Sequence, residues 1–309
     1  MSIVVTGSIA FDYLMSFPGK FTEHILPEHM QRLSLSFLVD SMDKRRGGCA
    51  PNIAYTLALL GERPRLMGTA GQDFDDYRRW LEAAGVDTSL VLQVPDKFTA
   101  SFFCSTDSDS NQIASFYTGA MANAAELSFR TVTDCRMAII SPNDPVAMVQ
   151  YADECRALGI PYIWDPGQQC ARMSGEELGA GLDGSAIVIC NDYEFELIRQ
   201  KTGLDEAGVL ARTGALIVTR GEQGSTVLDG SGQISIPAVP PHAVVDPTGV
   251  GDAFRGGLLK GLAMEADLEV CCRLGSVAAT YALEHLGGST HAYTWDAFRA
   301  RYAAHFGPL

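Results

Sequence analysis

The sequence of 309 residues contains no long apolar run. No stretch approaches the ~18 consecutive apolar residues that a membrane-spanning helix needs. The first residues carry no basic leader, and Asp12 interrupts the apolar segment at the start of the chain. We therefore expect neither a secretory signal nor a membrane partner, and a cytoplasmic location.

Cysteine and histidine show none of the patterns of a disulfide scaffold or a zinc site. The eight cysteines form no Cys-x-x-Cys pair, and they are too thinly spread over 309 residues to act as disulfide cross-links for a small domain. None of the six histidines belongs to a His-Glu-x-x-His pattern. We expect reduced thiols, as in a cytoplasmic protein.

Basic residues are few. Lysine and arginine number 23 against 37 acidic residues, which gives a formal net charge of −14. An acidic surface repels nucleic-acid backbones and anionic lipids, so we expect no nucleic-acid partner. Hydrophobic residues make up 47% and charged residues 19%, as is usual for a folded globular protein. A small-molecule ligand in a local positive site remains compatible with this composition.

Three common catalytic motifs are absent. The chain has no Gly-x-x-x-x-Gly-Lys-Ser/Thr loop, no Gly-x-Gly-x-x-Gly after its first strand and no Gly-x-Ser-x-Gly turn. These absences disfavour a phosphate-loop nucleotidase, a dinucleotide-dependent dehydrogenase and a serine hydrolase. A nonenzymatic nucleotide- or sugar-binding module remains open at this point.

Short apolar strands alternate with helical patterns along most of the chain, which predicts a parallel sheet covered by helices on both faces. We predict strands at 3–5, 65–68, 137–140, 161–165, 186–190 and 215–219, and helices at 51–60, 75–84, 145–158, 174–182, 251–263 and 268–283. A hairpin of 99–106 and 112–117, and an irregular segment with a strand at 34–39, do not fit this alternation. We expect them to form an added β element.

The strongest local signal is the segment from Asp246 to Gly257, which contains Gly249, Gly251 and Asp252 at the start of a predicted helix. Glycines there leave backbone N–H groups free to bind an anion, which the positive end of the helix also favours. A carboxylate beside a phosphate pocket is placed to accept a proton from a hydroxyl group. The alternative is an ordinary glycine turn with Asp252 as a helix cap.

Three further segments place glycine or polar residues beside a helix or a strand. They are Gly47 to Asn52, Asn191 to Glu194 directly after a strand, and Thr219 to Gly224 after the next strand. The carboxyl ends of parallel strands are where open α/β sheets bind ligands. Tight turns and helix caps are the structural alternatives for each segment.

Taken in this order, the four segments resemble the ribokinase-like (PfkB) family of sugar and nucleoside kinases over nearly the whole chain. Within that family, the segments Ser8 to Asp12 and Phe116 to Met121 look most like bacterial adenosine kinases. The resemblance implies a single domain over 1–309: a three-layer α/β/α sandwich with a mostly parallel central sheet. It also implies a small β-sheet lid built from about 10–45 and 97–119.

The resemblance also implies a role for each residue of the four segments. Asp252 would be the catalytic base, and the backbone at Gly249, Val250 and Gly251 would bind the transferred phosphoryl group. With an ordinary pKa near 3.9, Asp252 would be a weak base that suffices if proton transfer comes late. The residues implied for the nucleoside are Ser8, Asp12, Gly48, Asn52, Phe102, Phe116 and Gln169, with the base held between the two phenylalanines. The residues implied for the cofactors are Thr219, Gly221 and Gly224 for ATP, Asn191 and Glu194 for Mg²⁺ through water and phosphate, and Asp246 and Thr248 for a possible K⁺.

The function implied is transfer of the γ-phosphoryl group of ATP to the 5′-hydroxyl group of adenosine. A kinase of inosine, guanosine or cytidine, or of a sugar such as ribose or fructose, stays open as an alternative. The choice of Phe102 over Phe103 depends on strand register, because a shift of one residue reverses the face. A homodimer through the edge of the lid is also expected.

Overall fold

A computed structural model of the protein describes residues 2–25 and 34–309. Its strands are β1 (Ile3–Thr6), β2 (Ala10–Ser16), β3 (Ser41–Gly47), β4 (Arg65–Gly71), β5 (Asp87–Val94), β6 (Ala100–Thr106), β7 (Gln112–Tyr117), β8 (Met137–Ile140), β9 (Tyr162–Trp164), β10 (Ile187–Asn191), β11 (Ala215–Thr219), β12 (Ser225–Asp229) and β13 (Gly232–Ile236). Its α-helices are α1 (Phe21–His24), α2 (Cys49–Leu59), α3 (Asp75–Ala83), α4 (Pro145–Leu158), α5 (Gly175–Leu182), α6 (Asp192–Thr202), α7 (Glu206–Leu210), α8 (Val250–Ala263), α9 (Leu268–Leu283) and α10 (Trp295–Phe306). Within these two ranges, no helix is both long and apolar enough to cross a membrane.

Nine strands form the central sheet, in the order β13-β12-β11-β10-β9-β8-β1-β4-β5. The strands from β11 to β5 in this order are parallel, and β12 and β13 continue the sheet as an antiparallel hairpin. The strands predicted from continuous apolar runs are all present. The sequence analysis missed β5, β12 and β13, which carry more polar residues.

Helices cover both faces of the central sheet, as the buried strand residues require. Val5, Ile139 and Ile217 face one core, to which α2, α3, α8 and α9 contribute. Val4, Val188 and Leu216 face the other core, to which α4, α5, α6 and α7 contribute. The alternation of neighbouring side chains between two cores defines three layers and confirms the predicted fold class.

The remaining four strands form a separate sheet in the order β3-β2-β6-β7. The hairpin predicted at 99–106 and 112–117 is its β6–β7 pair. The strand predicted at 34–39 is wrong: these residues have no regular structure, and the strand begins at Ser41. Ser16 at the end of β2 pairs with Ser41, so the ladder extends no further toward Leu38, which is 85% exposed. Part of the segment expected for the lid, 26–33, lies outside the described residues.

The register of the small sheet decides which side chains share a face. Asp12 lies opposite Arg45 on β3 and opposite Phe102 on β6, and Phe102 lies opposite Phe116 on β7. Directly opposed residues point to the same side of a sheet. Phe103 therefore points to the other side, where its ring stacks on Tyr13 with 4.8 Å between centroids.

Candidate active site

The amino terminus of α8 is open to a ligand. Gly249 precedes the helix with φ +75°, and a Cβ atom there would lie 2.4 Å from the Cα atom of Gly288, so only glycine fits. The first backbone N–H groups of a helix have no acceptor inside the helix. The N–H groups of Gly251 and Asp252 thus form an anion-binding end with the helix dipole behind it.

Asp252 lies in the first turn of α8, where its Oδ2 atom accepts a hydrogen bond of 2.8 Å from Nδ2 of Asn52. Loss of hydration raises the pKa of Asp252 to about 7, although Asn52 and Arg255 oppose the increase. The expectation of an ordinary pKa is therefore wrong. The carboxylate is a stronger base than free aspartate and is matched to neutral pH.

Asn52 is positioned by a close contact between the start of α2 and the end of β1. Gly48 has φ +95°, and a Cβ atom there would lie 2.4 Å from the backbone oxygen of Ser8. The hydroxyl of Ser8 accepts a hydrogen bond from the N–H group of Cys49. Asn52 is 4% exposed, and its Oδ1 atom has no hydrogen-bond donor among the described residues. Such an orphaned acceptor is available to a ligand hydroxyl group.

A cavity of 480 Å³ lies between the small sheet and the carboxyl ends of the central strands. All seven residues predicted for the nucleoside line it, together with Thr248, Gly249 and Asp252: Ser8, Asp12, Gly48, Asn52, Phe102, Phe116 and Gln169. The sequence analysis missed further lining residues, which are Ala10, Cys49, Met121, Pro142, Gln168 and Arg172. Ala10, Cys49 and Met121 lie within segments that the sequence analysis singled out, whereas Pro142, Gln168 and Arg172 lie outside all of them.

The groups of this cavity combine apolar and polar surfaces. Phe102 and Phe116 lie side by side on one face of the small sheet, so they form one apolar wall and not two sides of a clamp. Burial raises the pKa of Asp12, and Arg45 on the neighbouring strand opposes the increase. Gln169 is 5% exposed, and its Oε1 atom has no donor among the described residues. A ligand with a flat ring and hydroxyl groups matches this lining.

A second cavity of 230 Å³ adjoins the first. Asn191, Glu194 and Thr219 line it at the ends of β10 and β11, and Gly249, Gly251 and Asp252 also belong to it. Gly249 and Asp252 thus line both cavities. The carboxylate stands between one chamber that fits an acceptor and another that fits a phosphate donor.

Four predicted site residues line neither cavity. Val250 contributes its backbone to the first turn of α8, and its side chain packs against a separate core cluster. Gly221 begins a short 3₁₀ turn after β11. A Cβ atom on Gly224 would lie 2.0 Å from the backbone oxygen of Ile236, so this glycine serves the packing of the β12–β13 hairpin. Asp246 lies at the turn before Gly249.

A buried ion pair under the second cavity was not predicted. Arg255 on α8 holds Asp165 through two hydrogen bonds of 2.5 Å, and the two side chains are 8% and 1% exposed. Arg255 also donates a hydrogen bond of 2.9 Å to the backbone oxygen of Gly251. Through this hydrogen bond, the Arg255–Asp165 pair fixes the peptide at the anion-binding end. An arginine within an otherwise apolar helix face was the available signal.

Asn191 and Glu194 form a reciprocal cap at the start of α6. The Oδ1 atom of Asn191 accepts from the N–H group of Glu194, whose Oε2 atom accepts from that of Asn191. Burial raises the pKa of Glu194, so a nearby cation would favour its ionised form. Among the described residues no three acidic, histidine or cysteine side chains form a metal cluster. The chemistry fits Mg²⁺ held through water and phosphate oxygens.

The expected K⁺ does not fit the surroundings of Asp246. Its Oδ1 atom accepts from the N–H group of Thr248 at 2.9 Å, and its Oδ2 atom accepts from that of Gly287 at 2.8 Å. A nitrogen of the Arg45 guanidinium lies 3.7 Å from the same Oδ2 atom. A cation beside Asp246 would therefore meet another positive charge.

A ribokinase-like fold with a carboxylate at an open helix end defines a phosphotransferase that acts on a hydroxyl group. The chain belongs to the pfkB family of carbohydrate kinases, whose family model matches residues 8–295. Family membership confirms the predicted resemblance.

Relatives span the whole chain. It is 30% identical over 310 residues to a nucleoside kinase of Methanothermobacter thermautotrophicus, covering 99% of this chain and 96% of the relative. It is 40% identical to the nucleoside kinase of Burkholderia thailandensis solved in complex with inosine, with a TM-score of 0.88 and coverage of 99% and 98%. The nucleoside kinase of Methanocaldococcus jannaschii is 29% identical, with a TM-score of 0.89 and 99% of each chain covered.

Proposed function

We propose that this protein transfers the γ-phosphoryl group of ATP to the 5′-hydroxyl group of a nucleoside. Adenosine is the acceptor that the sequence resemblance implies, and the inosine complex of the Burkholderia thailandensis relative adds a second purine nucleoside. One observation carries the proposal. Asp252 lies between two adjoining cavities, beside the open amino terminus of a helix.

The larger cavity supplies what a nucleoside needs. Asp12 and Asn52 offer acceptor oxygens to ribose hydroxyl groups, and the unpartnered Oδ1 atom of Asn52 supports this role. Phe102 and Phe116 offer a surface on which a base stacks, an interaction of about 1–3 kcal/mol per base in other proteins. The amide group of Gln169 and the guanidinium of Arg172 are available to the polar edge of the base.

The smaller cavity supplies what a phosphate donor needs. Thr219, Asn191 and Glu194 would hold ATP and its Mg²⁺, which when bound neutralises charge on the phosphate oxygens. The N–H groups of Gly251 and Asp252 would stabilise the charge of the transferred group, and Arg255 would hold the Gly251 peptide in place. The Burkholderia thailandensis relative was also solved with ADP-inosine.

Asp252 would act as the base in the transfer. Its carboxylate accepts the proton of the 5′-hydroxyl group while the oxygen bonds to the γ-phosphorus and the bond to the β-phosphate oxygen breaks. The products are a nucleoside 5′-monophosphate and ADP. A pKa of about 7 gives the carboxylate enough proton affinity without keeping it fully protonated at neutral pH.

The small sheet would act as a lid that closes over the acceptor and excludes water, which limits ATP hydrolysis. Its outer face exposes apolar side chains, among them Met42, Phe103, Ile113 and Tyr117. This apolar face supports the expected homodimer through the lid. The eight cysteines are free thiols, which fits the expected cytoplasmic location.

A panel of acceptors tests the proposal. ADP formation from Mg·ATP is measured with adenosine, inosine, guanosine, cytidine and ribose, and with no acceptor. We expect nucleosides, and purine nucleosides above all, to be phosphorylated at the 5′ position. Turnover of ribose alone would indicate a sugar kinase, and heat of nucleoside binding without ADP formation would indicate a binding module.

A further inference from the structure

The carboxylate of Asp246 joins two loops next to the anion-binding end of α8. Its side chain is 13% exposed, and its hydrogen bonds from Thr248 and Gly287 connect the turn before Gly249 with the loop after α9. A carboxylate with so little contact with solvent needs a compensating positive charge.

Arg45 supplies that charge. Its Nη1 atom lies 3.7 Å from Oδ2 of Asp246, and its Cδ atom would lie 3.8 Å from a Cβ atom on Gly287. The side chain of Arg45 is 25% exposed, so it lies partly within the protein beside the carboxylate. In the described part of the chain, no second basic side chain lies within 4.0 Å of Asp246.

We propose that the guanidinium of Arg45 takes the place of the monovalent cation beside Asp246, so that the enzyme works without K⁺. Arg45 extends from β3 of the small sheet, whereas Asp246 belongs to the body of the protein. The small sheet therefore contributes Arg45, whose positive charge stabilises the contact between the 246–248 turn and the loop at Gly287. Arg45 is in this sense a positioning residue for the anion-binding end.

Arg45 has a second partner, which gives a matched control. Its Nη2 atom lies 3.0 Å from Oδ2 of Asp43, whose side chain is 67% exposed. Exposed ion pairs of this kind contribute little. D43N removes this surface pair and leaves the contact with Asp246 in place.

The test compares the wild type, R45Q, R45K and D43N in KCl and in choline chloride at equal ionic strength. Two readouts are taken: kcat for nucleoside phosphorylation, and the melting temperature without substrates. We expect the kcat of wild type and D43N to change less than twofold between the salts. In choline chloride, the kcat of R45Q should be tenfold or more below that of the wild type, and KCl should restore part of it. The melting temperature of R45Q should be several degrees higher in KCl than in choline chloride. R45K should remain independent of K⁺.

Activation of the wild type by K⁺ of fivefold or more would overturn the proposal, and so would an R45Q variant that responds to K⁺ in neither readout. If R45Q does not fold, the kcat of the wild type in the two salts still shows whether the enzyme needs K⁺. The inference rests on the proposed function only for its kinetic readout. If no nucleoside is phosphorylated, the proposed function fails, and the melting temperatures still test the role of Arg45.

Discussion

At the scale of single residues, the raised pKa of Asp252 links activity to stability. The folded protein binds this proton more tightly than the unfolded chain does, so stability falls as pH rises from about 4 to about 7. D252N removes this partly buried charge. We expect it to lower kcat by about 10²–10⁴-fold and to stabilise the fold at pH 8 by on the order of 1–3 kcal/mol, measured by urea denaturation.

The stabilisation by D252N should shrink as the pH falls and vanish below about pH 3, where the wild-type carboxyl group is protonated in both states. D96N, which changes an exposed turn residue, serves as the control and should leave both kcat and stability unchanged. Near-wild-type turnover of D252N would show that Asp252 is not the base.

Asn52 sets the acid limb of the pH profile. Its hydrogen bond lowers the pKa of Asp252, which burial raises to about 7. N52L removes the donor, so the pKa should rise, and the acid limb of kcat/KM should move to higher pH. The midpoint of the limb is the relevant measurement, because loss of ribose contacts lowers kcat/KM at every pH. An unmoved midpoint in N52L would contradict the coupling.

Phe116 and Phe103 provide a matched pair on the small sheet. Phe116 faces the larger cavity, whereas Phe103 stacks on Tyr13 on the opposite face. F116A should raise KM for the nucleoside by about 10–100-fold, which corresponds to ~1–3 kcal/mol of stacking. KM for ATP should stay nearly constant, and F103A should affect neither value. If F116A raised KM for the nucleoside and KM for ATP equally, the ring of Phe116 would not be a specific contact of the nucleoside base.

At the scale of elements, the Arg255–Asp165 pair fastens α8 to the end of β9. R255M leaves the buried carboxylate of Asp165 without its partner, which should cost about 3–5 kcal/mol of folding free energy. The double variant D165L/R255M replaces the pair with apolar groups and should recover most of the stability in urea. It should not recover kcat, because the Gly251 peptide has lost its hydrogen bond. Recovery of both would limit the pair to a structural role.

Strands and helices were predictable where their burial produces a recognisable pattern of apolar residues in the sequence. Strands such as β8 and β10 are buried on both faces and appear as continuous apolar runs. β3 has the sequence Ser-Met-Asp-Lys-Arg-Arg-Gly, which is mostly exposed and has no apolar alternation. Only its pairing with β2 determines where it begins, so a local pattern could not locate it.

At the scale of the whole molecule, the candidate site was predictable where glycine and polar residues cluster in the sequence. The four segments around Gly48, Asn191, Thr219 and Asp252 are distant in the chain, and the parallel strands bring their ends to one edge. The contacts of Arg45 with Asp246 and of Arg255 with Asp165 could not be predicted in this way, because they join residues about 200 and about 90 positions apart. Contacts of this kind depend on packing that no local pattern records.

The wall shared by the two cavities has a consequence for inhibition. Asp252 and Gly249 border both chambers. A compound that tethers a nucleoside to an adenine nucleotide through a phosphate chain would fill both chambers at once. Such a bisubstrate ligand places its second half at high effective concentration, so it should bind far more tightly than either half alone.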